Sequence, residues 1–408
     1  MSLDRPVARP EGAVALRDAG AGRVVPAGQR LAAARRDRRL HRAVSDTLVT
    51  IARGAVPELD PAVRAAPDAL VAALRHHRLA PLAHVLLRDS EPGLAALLAE
   101  DRDRAMAMHL HVTTLLGHLG ALFDPVPWVV LKGPVLSETA HPVRGLRSYR
   151  DIDVLVAPGD LRRVSVQLRA AGWRVVDHAD TLRHPDLPGE MHWRSPSGIQ
   201  LDLHWNVVNE AERRRRLRVP TADLLARRVP TTLGFGPAWT LDPVDRLLHV
   251  CIHAVLSGVN RLVYLLDAQG TAAHVTDWEE VRLRAAAWDA TSHVAFVLRR
   301  ARSALGGPIP ADVERVLGAS PAFRGLTAVV DRLAPVARTR TEHGAARLFA
   351  RAVRPGAVRT TLATSRSVSR YLLGMRPPPE PGHRPFADSR TLEAYLDRVD
   401  AVVAAGRG

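Results

Sequence analysis

The stretch WVVLKGPVLSETAHPVRGLRSYRDIDVLV, residues 128–156, predicts the fold at the centre of the chain. Its first part, WVVLKG, is a short apolar run that ends at a glycine, which is typical of a buried strand entering a turn. Its last part, DIDVLV, alternates between acidic and aliphatic residues, as a strand with two different faces does. Two such strands with a turn-rich connection indicate a small α/β module over residues 126–242.

The rest of this module is predicted in the same way. DLRRVSVQLRAAG has helical spacing and ends at Gly172, a suitable C-terminal cap. WRVVDHA predicts a third strand. EMHWRSPSGIQLDLHWNVV predicts a hairpin whose two alternating runs are joined by Ser-Pro-Ser-Gly.

Helical patterns lie on both sides of the module. Leu and Val recur at three- and four-residue spacing in ALVAALRHHRLAPLAHVLL upstream and in VDRLLHVCIHAVLSG downstream. The expected fold class is therefore α+β, a small mixed sheet flanked by N-terminal and C-terminal helical regions. The predicted segments are a disordered Arg/Ala-rich tail (1–40), a helical region (41–125), the α/β core (126–242), a helical domain (243–373), and a Pro-rich linker with a terminal helix (374–408).

The composition is that of a globular protein able to bury sizeable cores, since 47% of the residues are hydrophobic and 24% are charged. The single cysteine, Cys251, excludes an internal disulfide and predicts a cytoplasmic protein. No apolar run reaches the roughly 18 residues of a membrane span, so we expect no membrane partner. The net charge of +15 suits a nucleic acid or a nucleoside triphosphate, but nine arginines lie in residues 1–40, so nucleic acid is not favoured.

Strand alternation places Asp151 and Asp153 on one face of DIDVLV and three aliphatic residues on the other. Two carboxylates about 6–7 Å apart on one strand face repel each other unless a cation lies between them. Mg²⁺ prefers one or two carboxylates together with substrate phosphates. The pair is therefore a candidate metal site, and a solvated strand end is the alternative.

In GIQLDLHW the same alternation puts Gln200, Asp202 and His204 on one face. A lone carboxylate in an apolar strand is costly to bury without a partner. Asp202 is therefore a candidate third ligand of a two-metal phosphoryl-transfer site, where it would also help to activate the nucleophile. A hydrogen bond to a neighbouring loop is the alternative. His204 is a candidate supporting group, although His184, His192 and His204 lack zinc-ligand spacing.

Lys132 is the only lysine in a chain that has 57 Lys and Arg residues. Lysine is a compact charge that can follow a phosphate chain, and a glycine after a strand lets a phosphate approach the backbone. Lys132 and Gly133 are therefore candidate triphosphate contacts, with chance retention of one lysine as the alternative. Arg144, Arg147 and Arg150 precede the Asp pair and either contact phosphates or neutralise the carboxylates.

Histidines on the downstream helical pattern give a weaker signal. His249 and His253 stand four residues apart in an apolar segment, so we interpret them as core or cleft residues and not as zinc ligands. His253 shares this helical module with Arg261 and Asp267. These three residues are candidates for lining the acceptor side of a cleft.

Taken together, VVLKGPVL, GLRSYRDIDVLV, LRAAGWRV and LDLHW resemble the uncharacterised nucleotidyltransferase family of the polymerase-β-like superfamily. The resemblance implies a nucleotidyltransferase fold with Gly133 in the glycine turn. It implies Mg²⁺, or else Mn²⁺, as the cofactor. The residues that the resemblance marks are the metal-binding carboxylates Asp151, Asp153 and Asp202 and the nucleotide contacts Lys132 and Arg147.

The activity that the resemblance implies is transfer of a nucleoside monophosphate from a nucleoside triphosphate, with ATP as the expected nucleotide. The acceptor is a small molecule, a peptide or protein side chain, or an RNA end. Two alternatives stay open: a catalytically silent module that senses a nucleotide, and an RNA-binding module. The presence of all three carboxylates argues against the first, and the aromatic content of 4% argues against base stacking in the second.

Overall fold

The structure, a computed structural model, describes residues 27–234, 236–340, 344–373 and 385–406. Within these residues the centre is one mixed sheet of seven strands. In chain order they are β1 (Trp128–Val130), β2 (Asp151–Val156), β3 (Arg174–Val175), β4 (Glu190–Arg194), β5 (Gln200–His204), β6 (Val229–Leu233) and β7 (Gly236–Thr240). Across the sheet they lie in the order β3-β4-β5-β2-β1-β7-β6.

The strand pairing confirms the predicted mixed sheet and the predicted hairpin. β2 lies antiparallel to β1 and parallel to β5, while β4 and β5 form the antiparallel hairpin. The third predicted strand is reduced to the two residues of β3. β6 and β7 form a further hairpin that the sequence pattern does not predict, because VPTTL and GPAWT each contain a proline and few aliphatic residues.

Helices precede the sheet, as predicted, but the first begins earlier than expected. The predicted disordered tail is wrong for residues 27–40, because this stretch is rich in Ala, Leu and Arg, which are strong helix formers. Residues 1–26 lie outside the described part of the chain. The helices of this region are α1 (Ala27–Ala52), α2 (Pro61–Arg64), α3 (Pro67–His76), α4 (Ala80–Leu87), α5 (Pro92–Ala96) and α6 (Ala99–Phe123).

Short helices connect the strands, and longer ones follow the sheet. Within the sheet region they are α7 (Pro134–Thr139), α8 (Leu161–Ala170), α9 (Ala179–Arg183), α10 (Ala211–Arg214) and α11 (Thr221–Ala226). After it come α12 (Pro243–Ser257), α13 (Leu262–Ala272), α14 (Trp278–Ala287), α15 (Thr291–Leu305), α16 (Val313–Val316), α17 (Pro321–Leu333), α18 (Ala345–Ala352), α19 (Ala357–Leu372) and α20 (Ser389–Ala404).

The structure contains one predicted helix end and one further predicted helix. Gly172 follows α8 with a φ of +82°, as expected of a glycine that ends a helix. α20 is the predicted terminal helix. Residues 374–384 of the Pro-rich linker before it lie outside the described residues.

The two helical regions share one hydrophobic core, which we call the helical core. Leu48 and Leu82 from the first region belong to the same buried cluster as Leu247 from the second. α1 packs directly against α13 and α15. The predicted regions 41–125 and 243–373 are therefore separate along the sequence but not in space.

A second buried cluster, the sheet core, lies under one face of the sheet. It contains Val154, Trp193 and Leu203 from the strands together with the apolar sides of α6, α8 and α20. Arg162 of α8 also forms ion pairs with three carboxylates of α20 at 2.7–2.8 Å. The C-terminal helix thus belongs to the sheet module, although the whole second helical region separates them in sequence.

One described helix, α6, is long and apolar enough to cross a membrane by length and composition alone. Its Val112, Leu116, Leu119 and Phe123 are buried in the sheet core. Such burial of an apolar stripe is typical of a core helix in a globular domain.

Candidate active site

Three carboxylates lie where β2 and β5 run side by side. Their parallel pairing puts Asp153 opposite Asp202 and Asp151 opposite Gln200. The aliphatic side chains between them point into the sheet core, so alternation leaves the carboxylates together on the other face. Asp153 is 1% exposed and Asp202 is 9% exposed, whereas Asp151 at the start of β2 is half-buried.

Lys132 lies directly beside these carboxylates. The preceding residue, Leu131, donates its N–H to the carbonyl oxygen of Asp153 at 3.0 Å, which fixes the two segments edge to edge. Lys132 Nζ is 2.7 Å from Asp153 Oδ1 and 3.4 Å from His253 Nε2. The one lysine of the chain therefore neutralises the most buried carboxylate of the site.

The three carboxylates differ in their electrostatics. Burial disfavours charge on Asp153, but Lys132 and His204 outweigh it and hold the pKa of Asp153 well below its ordinary value. Burial, and then the charge of Asp153, raise the pKa values of Asp151 and Asp202. Burial also opposes the charge of Lys132, yet the surrounding carboxylates raise its pKa. The positive charges of Lys132 and His204 thus outweigh the effect of burial on the pKa of Asp153, whereas burial outweighs the positive charges near Asp151 and Asp202.

Gly133 follows Lys132 in a backbone conformation that favours glycine. Its φ is +57°, and a Cβ there would lie 3.4 Å from the Asp151 carbonyl oxygen and 3.5 Å from the Tyr149 ring. The ring is held in place by His109, whose Nδ1 lies 2.9 Å from the Tyr149 hydroxyl. A side chain at position 133 would therefore strain the backbone and crowd the start of β2.

His204 links Asp153 to a carboxylate that the sequence analysis did not single out. Its Nε2 lies 3.3 Å from Asp153 Oδ1. Its Nδ1 lies 3.1 Å from Glu190 Oε2 on β4, an ion pair without hydrogen-bond alignment. Burial opposes charge on the ring, but Glu190 and Asp153 outweigh it and raise the pKa of His204. Of its two carboxylate neighbours, His204 therefore forms a hydrogen bond with Asp153.

Asp202 is backed by a second histidine–carboxylate pair. His192 lies opposite Asp202 on β4, with Nε2 3.8 Å from Asp202 Oδ1. Its Nδ1 is 2.6 Å from Asp177 Oδ1, and its backbone N–H donates to Asp177 Oδ2 at 2.7 Å. Burial opposes charge on His192, but Asp177, Asp202 and Glu190 raise its pKa to about 9. Alternation in EMHWR could have identified Glu190 and His192, whereas no sequence pattern marks Asp177.

Arg147 forms an ion pair inside the protein. Its Nε and Nη2 donate to the two carboxylate oxygens of Asp267 at 2.6 and 2.7 Å, and both side chains are buried. This bidentate pair joins the loop before β2 to α13. A contact between Arg147 and the nucleotide stays a prediction, and it requires the Arg147–Asp267 ion pair to break. Asp267, predicted on the acceptor side, points at Arg147.

His253 and Arg261 border the site from different sides. His253 lies on α12 beside Lys132, and burial, followed by the charge of Lys132, lowers the pKa of His253 well below its ordinary value. His249 lies one turn earlier, and burial lowers its pKa to about 3. Both rings are therefore neutral. Arg261 lies just before α13, on the wall of an open cleft next to the loop before β2.

The side chains that could hold a cation here are oxygen donors. Among the described residues, no three His, Cys, Asp or Glu side chains stand together in a ligating arrangement. Lys132 contacts one oxygen of Asp153, and the other, the buried Oδ2, has no hydrogen-bond partner within the described ranges. This unused acceptor and the raised pKa values of Asp151 and Asp202 fit a hard divalent cation such as Mg²⁺.

A mixed sheet that brings three carboxylates, a lysine and a glycine turn together on one face, with helices at both ends of the chain, is consistent with a nucleotidyltransferase core. The chain belongs to the uncharacterised nucleotidyltransferase family. The model of that family matches residues 64–306, which is more than half of the chain. This match confirms the resemblance drawn from the sequence motifs. No curated protein matches the chain.

Proposed function

We propose that the protein transfers a nucleoside monophosphate from a nucleoside triphosphate, with ATP as the expected nucleotide, to an acceptor hydroxyl. The observation that carries this proposal is that Asp151, Asp153 and Asp202 share one face of the sheet beside Lys132 and Gly133. Membership of a nucleotidyltransferase family supports the class of reaction. Such a reaction depends mainly on positioning and on stabilising charge, and this arrangement is suited to both.

The three carboxylates are the proposed ligands of a divalent cation, Mg²⁺ or Mn²⁺. When bound, such a cation polarises phosphoryl oxygens and stabilises the negative charge of the leaving pyrophosphate. Neighbouring histidines orient the ligands, since His204 contacts Asp153 and His192 stands behind Asp202. These contacts direct the carboxylate oxygens to one face of the sheet before a substrate binds.

Lys132 and Gly133 are the proposed contacts of the triphosphate. Gly133 leaves the backbone open to a phosphate, because it has no side chain beside the Asp151 carbonyl. Lysine carries a compact charge on a flexible chain, so Lys132 can exchange Asp153 for a phosphate oxygen. The same residue would then neutralise the carboxylate without substrate and the phosphate with it.

Asp202 is the proposed base for the acceptor. The acceptor oxygen forms a bond to the α-phosphorus as the bond to the pyrophosphate oxygen breaks, and the hydroxyl proton passes to Asp202. Asp202 lies on the same face of the sheet as the other two carboxylates, where it can take the proton of a hydroxyl that is bound beside them. His192, fixed by Asp177, would hold the oxygen of Asp202 in place during this step.

We further propose that the protein acts in the cytoplasm, without a membrane partner, and that nucleic acid is a possible but not the favoured partner. Its single cysteine, Cys251, is buried and unpaired, as expected in a reducing compartment. The acceptor is a small molecule, a peptide or protein side chain, or an RNA end.

The test is to incubate the protein with α-phosphate-labelled nucleoside triphosphates and cell extract in the presence of Mg²⁺, Mn²⁺ or EDTA. We expect label on an acceptor only with a divalent cation, most strongly with ATP, and no label with an Asp151→Asn/Asp153→Asn variant. An Asp89→Asn/Asp103→Asn variant is the matched control, because it replaces two exposed carboxylates, and we expect it to retain transfer.

Three outcomes decide between the proposal and its alternatives. No transfer by the wild type, together with no Mg²⁺-dependent nucleotide binding in calorimetry, would overturn the proposal. Mg²⁺-dependent nucleotide binding without transfer would support a nucleotide-sensing module. RNA binding that falls steeply with salt and does not respond to Mg²⁺ would support an RNA-binding module.

A further inference from the structure

An open cleft of about 820 Å³ lies beside the site, between the first helical region and the loop before β2. That volume is in the range of clefts that bind a small-molecule ligand or cofactor. The walls come from the α3–α4 turn, α6, residues 148–150, and Arg261 before α13. Arg150 is the residue directly before Asp151, so the cleft opens next to the proposed metal ligands.

The walls of the cleft carry an excess of positive charge. Five arginines and only two carboxylates line it, so three positive charges remain after the acids are counted. The two carboxylates already have partners, since Asp101 binds Arg75 at 2.9 Å and Glu100 binds Arg104. The acids of the walls are thus engaged by Arg75 and Arg104, and the other arginines of the walls include Arg78 and Arg150.

Neither Arg78 nor Arg150 is held in an ion pair by a described residue, although Arg78 is close enough to Asp151 to act on the pKa of that carboxylate by lowering it. In the part of the chain that the structure describes, neither has a carboxylate within 4.0 Å, the limit for an ion pair. Arg78 is half-buried, and burial, together with the positive charges of Arg261, Arg147 and Arg150, lowers its pKa. Like charges held this close favour an anionic ligand between them.

The backbone of Arg78 is also unusual. It follows the C-terminal end of α3 with a φ of +58°, a position that normally takes glycine. Leu79 N–H then donates back to the Leu74 carbonyl oxygen at 2.8 Å, which closes the end of the helix. A long charged side chain at a position that favours glycine points to a role for the side chain, because glycine would give the turn without strain.

A buried hydrogen bond holds the walls of the cleft together. The backbone N–H of Leu262 donates to Nδ1 of His77 at 3.1 Å. His77 directly precedes Arg78 and Leu262 directly follows Arg261, so this one contact fixes both arginine-bearing segments. Burial lowers the pKa of His77 to about 3, which keeps its ring neutral and able to accept the bond. The cleft is therefore preformed.

We propose that this arginine cleft binds a phosphate group of a substrate through Arg78, Arg150 and Arg261. Guanidinium groups bind phosphate oxygens in pairs, so three of them on facing walls suit one or more phosphates. The inference rests on the proposed function, and it adds a binding site contributed by the first helical region. The phosphate belongs either to the tail of the nucleoside triphosphate or to a phosphorylated acceptor.

Calorimetry with the full chain tests this inference, with inorganic phosphate and inorganic tripolyphosphate as probes. We expect Arg78→Asn and Arg150→Gln each to weaken phosphate binding by about tenfold, since each removes a charged hydrogen-bond donor. Asn is chosen at position 78 because it adopts a positive φ more readily than most residues. Arg104→Gln is the matched control, because it removes an exposed charge from the same cleft, and we expect a change within about twofold.

A second titration identifies the source of the phosphate. If a saturating non-hydrolysable ATP analogue displaces inorganic phosphate from the arginines, the cleft holds the nucleotide tail. If inorganic phosphate still binds in an Arg78-dependent way, the cleft holds the acceptor. Equal phosphate binding by Arg78→Asn, Arg150→Gln and the wild type would overturn the inference, as would an equal loss with Arg104→Gln.

The two proposals fail in different ways. The Asp151→Asn/Asp153→Asn variant is expected to lose label transfer and to keep Arg78-dependent phosphate binding. Arg78-dependent phosphate binding in a wild type that transfers no label would leave this inference standing and overturn the proposed function. If the wild type transfers label but Arg78→Asn and Arg150→Gln leave phosphate binding unchanged, only this inference is overturned.

Discussion

Where β4 and β5 pair, the two faces of the central sheet bury different kinds of side chain. On one face Trp193, Leu201 and Leu203 are fully buried in the sheet core. On the other face, His192 and Asp202 alternate with those residues along the same strands, and each contacts charged neighbours. Both faces are largely buried, so exposure does not distinguish them.

The difference between the faces lies in what burial requires. An apolar face needs only that its volume be filled, so helices with an apolar stripe can cover it from any part of the chain. A buried charge needs a partner of opposite charge at hydrogen-bond distance. On the polar face these partners include Lys132, Glu190 and Asp177, which come from three separate segments. Substitutions on the first face should therefore change stability, and substitutions on the second should change chemistry.

The largest effect is expected on the apolar face. Trp193→Ala should lower the free energy of unfolding by about 3–5 kcal/mol, because it leaves a cavity in the sheet core. Chemical denaturation measures the change. Trp239→Ala, which removes a tryptophan that is 37% exposed on β7, is the control and should cost less than about 1 kcal/mol. Similar losses for both variants would contradict the contrast.

The Arg147–Asp267 pair is a bidentate ion pair near the site, and both of its side chains are buried. Arg147→Ala should cost about 3 kcal/mol of unfolding free energy, because Asp267 would remain buried without a partner. The double variant Arg147→Met/Asp267→Leu should recover most of this loss, as both charges are removed together. A double variant no more stable than the single one would show that the pair is needed for packing of the loop before β2.

On the polar face, Asp202→Asn should separate activity from stability. Label transfer should fall on the order of 100-fold, as expected for loss of a general base. The free energy of unfolding should change by less than about 1 kcal/mol, because burial already disfavours the charge of this carboxylate. Leu203→Ala on the same strand should show the opposite pattern, with a larger effect on the free energy of unfolding than on label transfer. If Asp202→Asn transferred label at the wild-type rate, Asp202 would not be the general base.

Gly133 tests the turn between β1 and α7, beside the carboxylates. Gly133→Ala should cost about 1–2 kcal/mol, since an alanine is strained at a φ of +57°, and it should also reduce transfer. Gly93→Ala is the matched control, because nothing lies within 4 Å of its Cβ and its φ is not positive. We expect the control to be neutral or slightly stabilising in thermal unfolding. Equal behaviour of the two variants would contradict the role of the turn.

The smallest effect is expected where α20 closes the apolar face. The Tyr395 hydroxyl accepts a hydrogen bond from Trp205 Nε1 and donates one to the Pro188 carbonyl oxygen, each at 2.8 Å. Tyr395→Phe should cost about 1 kcal/mol, because Trp205 Nε1 keeps its own bond to Pro188. A loss several times larger in chemical denaturation would mean that the hydroxyl, and not the apolar contact, holds the helix.

Much of the sheet could be predicted because each strand carries its own alternation. DIDVLV and QLDLH identify both the strands and the face that each carboxylate occupies. β3 and the β6–β7 hairpin were harder, since their residues have little alternation of their own and are strands because they pair with neighbours. The tail prediction failed over residues 27–40 because an even mixture of Ala and Arg hides the helical period that α1 adopts.

The sequence by itself determined which residues are candidates for the chemistry. Lys132, Gly133 and the three carboxylates follow from residue type and local period, and both are properties of short segments. Only the tertiary structure decided their partners. The support of Asp202 by His192 and Asp177, the Arg147–Asp267 pair and the placement of Arg78 beside the site all join segments far apart in sequence. Such contacts depend on how helices and strands pack, and no local pattern of residues records that packing.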